Sequence, residues 1–293
     1  MKIALVTDST SGLTAAEVKE NDIHVVPIPI MIGNDQYLDG INITAKKLFE
    51  LEDAGADFPK TSQPSIGECM ELFAQLHDEG YEGIIAITLS SGISGFYQSL
   101  MTIAAEHPEY NLHPYDSEIT VKLQGNLVLA AAEMIRNDLS LEAIIKHLDS
   151  IRDTIKELFV VDDLNNLSRG GRLSNAGAFI GTMLHIKPLL KFDESGKIIA
   201  FEKIRSMKRA VLRIEKLALE ETSSLVYKDK LTILVLHSND PNQAEQIRAF
   251  AQENFPGLDV QISEFSPVIA THLGNKSLAI AWMVDYRKLD LSK

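Results

Sequence analysis

The chain has a single cysteine, Cys69, so it closes no disulfide within itself, and a zinc site built on thiolates is excluded. Basic residues are outnumbered: 28 Lys and Arg stand against 41 Asp and Glu, a net charge of −13. Phosphate recognition needs clustered Lys and Arg, so a nucleic-acid partner is not expected. The same acidity disfavours steady attachment to an anionic membrane, leaving at most transient contact. Long apolar runs are missing too; the stretch 278–284 falls far short of a membrane span. The opening Met1-Lys2-Ile3-Ala4-Leu5-Val6-Thr7-Asp8 is interrupted too soon for a signal peptide, and a cytoplasmic protein is the plain expectation.

Several signatures of catalysis are absent. Gly92-Ile93-Ser94-Gly95-Phe96 falls short of a G-x-S-x-G nucleophile elbow because Phe96 stands where the final glycine belongs. There is no H-E-x-x-H and no Asp/Glu/His cluster at metal-ligand spacing, so neither a metal nor a cofactor is expected. No internal repeat, low-complexity tract or Pro/Gly-rich linker interrupts the chain.

What is present belongs to an ordinary globular protein, 45% hydrophobic and 24% charged. Its 293 residues suffice for two domains or one large α/β domain. Residues 2–7 form a short apolar run ending in Thr7-Asp8-Ser9-Thr10-Ser11, which predicts a buried strand and a polar turn. Thr14 with Glu17 has capping-box spacing and opens a helix. A strand region follows at 23–32, where Pro27 and Pro29 predict an edge or irregular strand. Helical patterns at 44–54, 65–79 and 95–106 surround the buried-strand pattern 83–89. Such alternation predicts a parallel, helix-flanked sheet.

Beyond this, helical stretches at 121–137 and 140–156 lead to the strand-like 158–161. Two strand-like runs in 187–205 are broken by Asp193-Glu194-Ser195-Gly196, a hairpin signal. A helix (207–222), a strand (231–237), a helix (241–253) and a strand (259–265) follow. The predicted boundary divides the chain into an N-terminal α/β domain, 1–155, and a C-terminal α/β domain, 156–293.

Four segments are candidates for chemistry. Thr61-Ser62-Gln63-Pro64-Ser65 places three hydroxyls and an amide before a helix. Ser65 reads as the N-cap, with Glu68 three residues on, whereas Thr61 and Ser62 lie outside the helix and are free to hydrogen-bond. Ser90-Ser91-Gly92-Ile93-Ser94-Gly95-Phe96-Tyr97 follows a buried strand and opens a helix, the place where α/β sheets bind ligands and backbone N–H groups face an anion. Its serines can equally be caps alone. The loop lacks the P-loop lysine and does not fit G-x-G-x-x-G, so a carboxylate suits it better than a triphosphate. Arg169-Gly170-Gly171-Arg172-Leu173-Ser174 reads either as an anion contact or, preferably, as arginines fixing a loop through carbonyls. In Thr271-His272-Leu273-Gly274 the histidine is either a satisfied core residue or a ligand contact. The residues by themselves lead as far as an anion-binding α/β protein.

Together these segments resemble the DegV family of bacterial fatty-acid-binding proteins. The resemblance rests on Thr7-Asp8-Ser9-Thr10, Thr61 to Ser65, Ser90 to Gly95 with Tyr97-Gln98, Asp116-Ser117, Gly171-Arg172-Leu173-Ser174, Lys187-Pro188 and His272, in that order. It implies a two-domain DegV-like fold: a parallel, helix-flanked sheet domain and a second α/β domain with a mainly antiparallel sheet, with a lipid between them. It also implies that the fatty-acid carboxylate lies near Thr61 and Ser94, with Ser62, Gly95 and His272 beside it. Carriers of this kind present the acid to a separate fatty acid kinase that makes an acyl-phosphate for phospholipid synthesis, and Arg205 matches an arginine associated with kinase contact.

Two departures stand out. The family follows its histidine with x-Gly-Pro-Gly, where this chain has Leu273-Gly274-Asn275-Lys276, and Lys276 brings a positive charge to that loop. The family's later serine after Asp-Ser is replaced around Val121. On energetic grounds the acyl chain supplies the affinity: at about 0.8 kcal/mol per buried methylene, a sixteen-carbon tail offers roughly 11 kcal/mol before the costs of association. The expected function is therefore a non-enzymatic carrier of long-chain fatty acid. The alternatives are an acyl hydrolase using Ser94 as nucleophile with His272 and Asp8, or a regulatory scaffold stabilised by lipid.

Overall fold

The computed structural model describes residues 2–179 and 186–291. Its first half contains β1 (Ile3–Asp8), α1 (Ala15–Glu20), β2 (Ile23–Val26), β3 (Pro29–Ile32), β4 (Asp35–Leu38), α2 (Ala45–Asp53), β5 (Lys60–Thr61) and α3 (Ile66–Asp78). It continues through β6 (Gly83–Thr88), α4 (Phe96–Glu106), β7 (Leu112–Asp116), α5 (Val121–Arg136) and α6 (Leu141–Arg152). The remainder is β8 (Lys156–Val160), α7 (Asn165–Arg169), β9 (Lys187–Phe192), β10 (Ile198–Ile204), α8 (Met207–Ser223), β11 (Leu231–His237), α9 (Pro241–Asn254), β12 (Asp259–Glu264), α10 (Pro267–Leu273) and β13 (Leu278–Val284).

The expected parallel sheet is there, in the order β2-β1-β6-β7. Its inner strands β1 and β6 are buried at every position, as continuous apolar runs require when helices cover both faces. A six-stranded sheet follows the order β10-β9-β8-β13-β11-β12, and only β11 and β12 run parallel. The hairpin predicted at 187–205 is the β9–β10 pair, turning through Asp193–Gly196. This is the α/β architecture expected, with one parallel and one mainly antiparallel sheet.

The segment 23–32 departs from the single strand region expected. Pro27 has no N–H for a ladder, and the chain breaks there into β2, which joins the parallel sheet, and β3. Strand β3 instead forms the centre of a small antiparallel sheet, β4-β3-β5, with Pro29 tolerated at its first position.

Helix α5 lies between the two large sheets and is buried at Val121 to Ala132 and at Met134, on all sides of the helix. One continuous hydrophobic cluster runs from Leu5 and Ile87 of the parallel sheet, through Leu127 and Val128 of α5, to Phe159, Leu236 and Ala281 of the other sheet. Polar groups inside α5 are matched: Gln124 donates to Thr7 Oγ1 and Asp8 Oδ2, and Lys122 pairs with Glu17 at 2.6 Å. The far face of the six-stranded sheet is covered by α8 and α9 around Leu158, Ile233 and Trp282. Helix α10 is the unexpected element. Its Val268 and Ala270 join the core cluster of the N-terminal half, and Val268 N donates to Asp39 Oδ1, so a late segment packs against early ones. No helix among the described residues is long and apolar enough to cross a membrane.

Candidate ligand-binding site

Thr61 ends the two-residue strand β5, where Ile30 is its partner, and Ser62 N extends the pairing by donating to Pro29 O. Ser65 caps α3 through Glu68 N, as expected, so the intervening loop is pinned at both ends. The second loop leaves the carboxyl end of β6, the usual ligand side of a parallel sheet. Ser90 organises it: its carbonyl accepts from Ile93 N and Ser94 N, and its hydroxyl accepts from Gly92 N at 3.1 Å. That hydroxyl also donates to Gly196 O at 2.7 Å, docking the β9–β10 turn on the loop. Only glycine fits at position 92, because a Cβ there would occupy the space of the Gly196 carbonyl. Gly95 begins α4 without a side-chain cap, and Ser94 Oγ accepts from Phe96 N at 3.3 Å. The leading N–H groups of the helix thus face the loop with little local satisfaction.

Helix α10 brings the third component. His272 Nε2 lies 2.7 Å from Thr61 Oγ1, a contact across 211 residues of sequence, and the histidine tautomer decides which atom donates. Gly170 makes room for the ring, since a Cβ there would stand 2.6 Å from His272 Nδ1. Burial, aided by the charge of Arg172, pushes the His272 pKa down to about 4, so the imidazole is neutral at pH 7. Arg172 donates from Nε to Ile93 O at 3.2 Å and from Nη1 to Gly170 O at 2.5 Å. These bonds fix loops through carbonyls, as the sequence suggested.

The three components line a cavity of about 140 Å³. Thr61, Ser62, Ser94, Gly95 and His272, all expected at the site, line it together with Gln63 and Arg172. The rest of the wall is mainly apolar, including Ile28, Ile93, Phe159, Phe192, Phe265 and Ile269. Arg205 is exposed after β10 and does not line the cavity, and neither does the exposed Lys276. Val121 lines it at a φ of +59°, a rare conformation for a β-branched residue and a local strain at the start of α5.

The Ser94–His272–Asp8 relay needed for a hydrolase is not assembled. His272 Nε2 is engaged with Thr61, while Asp8 accepts from Thr10, Gln124 and Leu89 N in a buried cluster of its own. No group of side chains among the described residues can hold a metal ion.

Sequence reasoning missed one conspicuous residue. Glu157 of β8 lines the cavity, and burial pushes its pKa up to about 8. The signal was available: in Lys156-Glu157-Leu158-Phe159-Val160, strand alternation sets Glu157 on the same face as Phe159.

Comparison with known proteins agrees with this fold. The family model described as "Uncharacterised protein, DegV family" matches residues 2–285. A DegV domain-containing protein of Listeria innocua is 40% identical over 284 residues, 97% of this chain and 99% of the relative. A fatty-acid-binding DegV family protein from Streptococcus agalactiae superposes with a TM-score of 0.88 at 37% identity, covering 97% of this chain and 99% of that one. DegV of Bacillus subtilis, described as a fatty acid binding protein, superposes with a TM-score of 0.86 at 38% identity over 97% and 99% of the two chains. With a family match that runs almost end to end, this chain belongs to the DegV family.

Proposed function

We propose that this chain is a non-enzymatic carrier of a long-chain fatty acid of the palmitate or oleate class, held with its carboxylate at Thr61 and Ser94. The observation that carries the reading is the cavity itself: a mainly apolar wall with hydroxyl groups, a neutral imidazole and a helix N-terminus gathered beside it. A hydrocarbon tail fits such a wall, and its burial supplies most of the affinity. Two hydroxyls and the first N–H groups of α4 suit a single carboxylate. Arg172 adds positive charge nearby, with part of its guanidinium committed to Ile93 and Gly170. Ser62, Gly95 and His272 complete the headgroup contacts, His272 by orienting the Thr61 hydroxyl. The S. agalactiae and B. subtilis proteins, both described as fatty-acid binding, support the same reading.

On this reading the chain divides into domains 1–155 and 156–293, with the lipid between them. The division is supported by sheet membership, since the parallel sheet draws only on residues 3–116 and the six-stranded sheet only on residues 156–284. The carrier presents its carboxylate to a partner fatty acid kinase, and Arg205, exposed beside the basic helix start Met207-Lys208-Arg209, is the proposed contact. The test is to denature protein purified from a bacterial host and identify what it releases by mass spectrometry. A stoichiometric long-chain fatty acid is expected. Absence of lipid, together with no binding of added palmitate or oleate, overturns the proposal.

A further inference from the structure

The cavity wall contains one group that a plain hydrocarbon chain cannot satisfy. Glu157 is 7% exposed and stands opposite Ala281 of β13 in the sheet. Its strand alternates cleanly: Phe159 joins the cluster between the two sheets, while Leu158 and Val160 join the cluster beneath α8 and α9. Glu157 therefore points with Phe159 toward the cavity, and both residues line it. Around it are the rings of Phe159 and Phe192, 6.2 Å apart.

No hydrogen bond or ion pair to the Glu157 carboxyl is found among the described residues. Glu157 also lines a second, open groove with Arg152, which binds Asp116 O and pairs with Glu118 and Asp149 while its Nε finds no acceptor. Burial alone keeps Glu157 in its neutral, protonated form at pH 7, which leaves one O–H donor and free acceptor capacity. Buried polar groups are nearly always hydrogen-bonded, so an unpaired one facing a ligand cavity awaits a partner on the ligand.

We propose that Glu157 is a specificity-determining residue that selects fatty acids carrying a hydroxyl group along the acyl chain, by hydrogen bonding to that hydroxyl within the apolar wall. The inference rests on the fatty-acid reading and narrows its substrate class. A hydroxyl buried against Leu or Phe alone would be penalised, whereas here it completes a carboxylic acid that is otherwise unmatched. Oxygenation of a fatty acid thus becomes a feature the cavity recognises.

The test uses delipidated full-length protein and a fluorescent fatty-acid probe. The probe is displaced by stearate and by monohydroxystearates with the hydroxyl at mid-chain or at the terminal carbon. At least one hydroxy isomer should bind the native protein about tenfold more tightly than stearate, the ratio that one well-made buried hydrogen bond supplies. Glu157→Gln should retain the preference, because an amide still donates and accepts. Glu157→Leu should abolish it and bind stearate at least as well as the native protein does. Equal or weaker binding of every hydroxy isomer to the native protein overturns the proposal, whether or not the Leu variant folds. So does a preference that survives in Glu157→Leu. Failure of stearate and all isomers alike to bind would instead bring down the fatty-acid reading, and this inference with it.

Discussion

Glu157 also makes a prediction about stability that needs no ligand. Its carboxyl ionises near 4.5 when exposed and only at about 8 in the fold, because burial penalises the charged form. A carboxyl with a raised native pKa contributes stability that is fully present below about pH 4.5. That contribution is lost as pH rises toward 8, since the unfolded chain ionises first. Each unit of separation is worth about 1.4 kcal/mol, so the loss reaches about 3 kcal/mol at pH 7 and levels off at about 5 kcal/mol above pH 8. Against a typical domain stability of roughly 5–15 kcal/mol this is a large effect. Glu157→Gln keeps the shape and the unpaired polar character but cannot ionise. Urea denaturation of delipidated native and variant protein, measured at several pH values from about 4.5 to 8.5, isolates the effect. Other raised carboxyls, Glu215 at about 7 and Asp39 at about 6, are common to both proteins and cancel in the difference. The variant should gain relative stability steadily with pH and level off above about pH 8. A difference that does not change with pH refutes the reasoning, because it would mean that Glu157 ionises in the fold as easily as in the unfolded chain.

Thr61→Ala and Ser94→Ala should each weaken fatty-acid binding by about 1–3 kcal/mol, and the double variant by less than the sum, because on the proposed reading both hydroxyls face one carboxylate. Native affinity in the double variant would place the carboxyl group elsewhere. Gly92→Ala forces a methyl group against the Gly196 carbonyl, backbone against backbone, and should cost roughly 1–3 kcal/mol; an unchanged melting temperature would contradict that close approach. Arg205→Ala should leave lipid affinity intact while slowing acyl-phosphate formation with the proposed kinase in a salt-dependent way. Lost lipid binding would tie Arg205 to the cavity or the fold instead.

Much of this architecture was legible in the residues, and the reasons are local. The capping box at Thr14 and Glu17, the buried runs of β1 and β6 and the Asp193–Gly196 turn are each written within a few positions, and each is found. The two hydroxyl loops were legible as short polar segments at strand–helix junctions, where helix capping was the equal alternative for the second. Pairings over long separations were not. The strand β5 is two residues long, far below any periodic signal, and exists because Ile30 and Met31 offer it an edge. Helix α10 carries a start signal in Ser266-Pro267, but its seven residues are too few to display a helical period. Glu157 was overlooked for another reason: a charged residue in a strand pattern normally marks the solvent face, and the packing of α5 on the six-stranded sheet turns that face inward.

The placement of the proposed headgroup residues has a consequence for how a ligand would be held. Ser94 belongs to the N-terminal half, yet its loop is tethered from the other half by the Ser90–Gly196 and Arg172–Ile93 hydrogen bonds. Thr61 also belongs to the first half, and its partner His272 to the second. Asp39 reaches across in the same way to the first turn of α10. The end of the cavity lined by Thr61, Ser94 and His272 is therefore no property of either half; it exists only while these contacts are made. A ligand that needs Thr61 and Ser94 correctly placed also favours the closed arrangement, and its binding energy adds to the stability of the whole. Separation of the halves would release the Thr61–His272 bond, the Ser90 latch and the Arg172 tether together. These three hydrogen bonds, each worth about 1 kcal/mol net, are a small part of what holds the halves together, because the apolar cluster through α5 is shared by both sheets and α10 packs into the core of the first half.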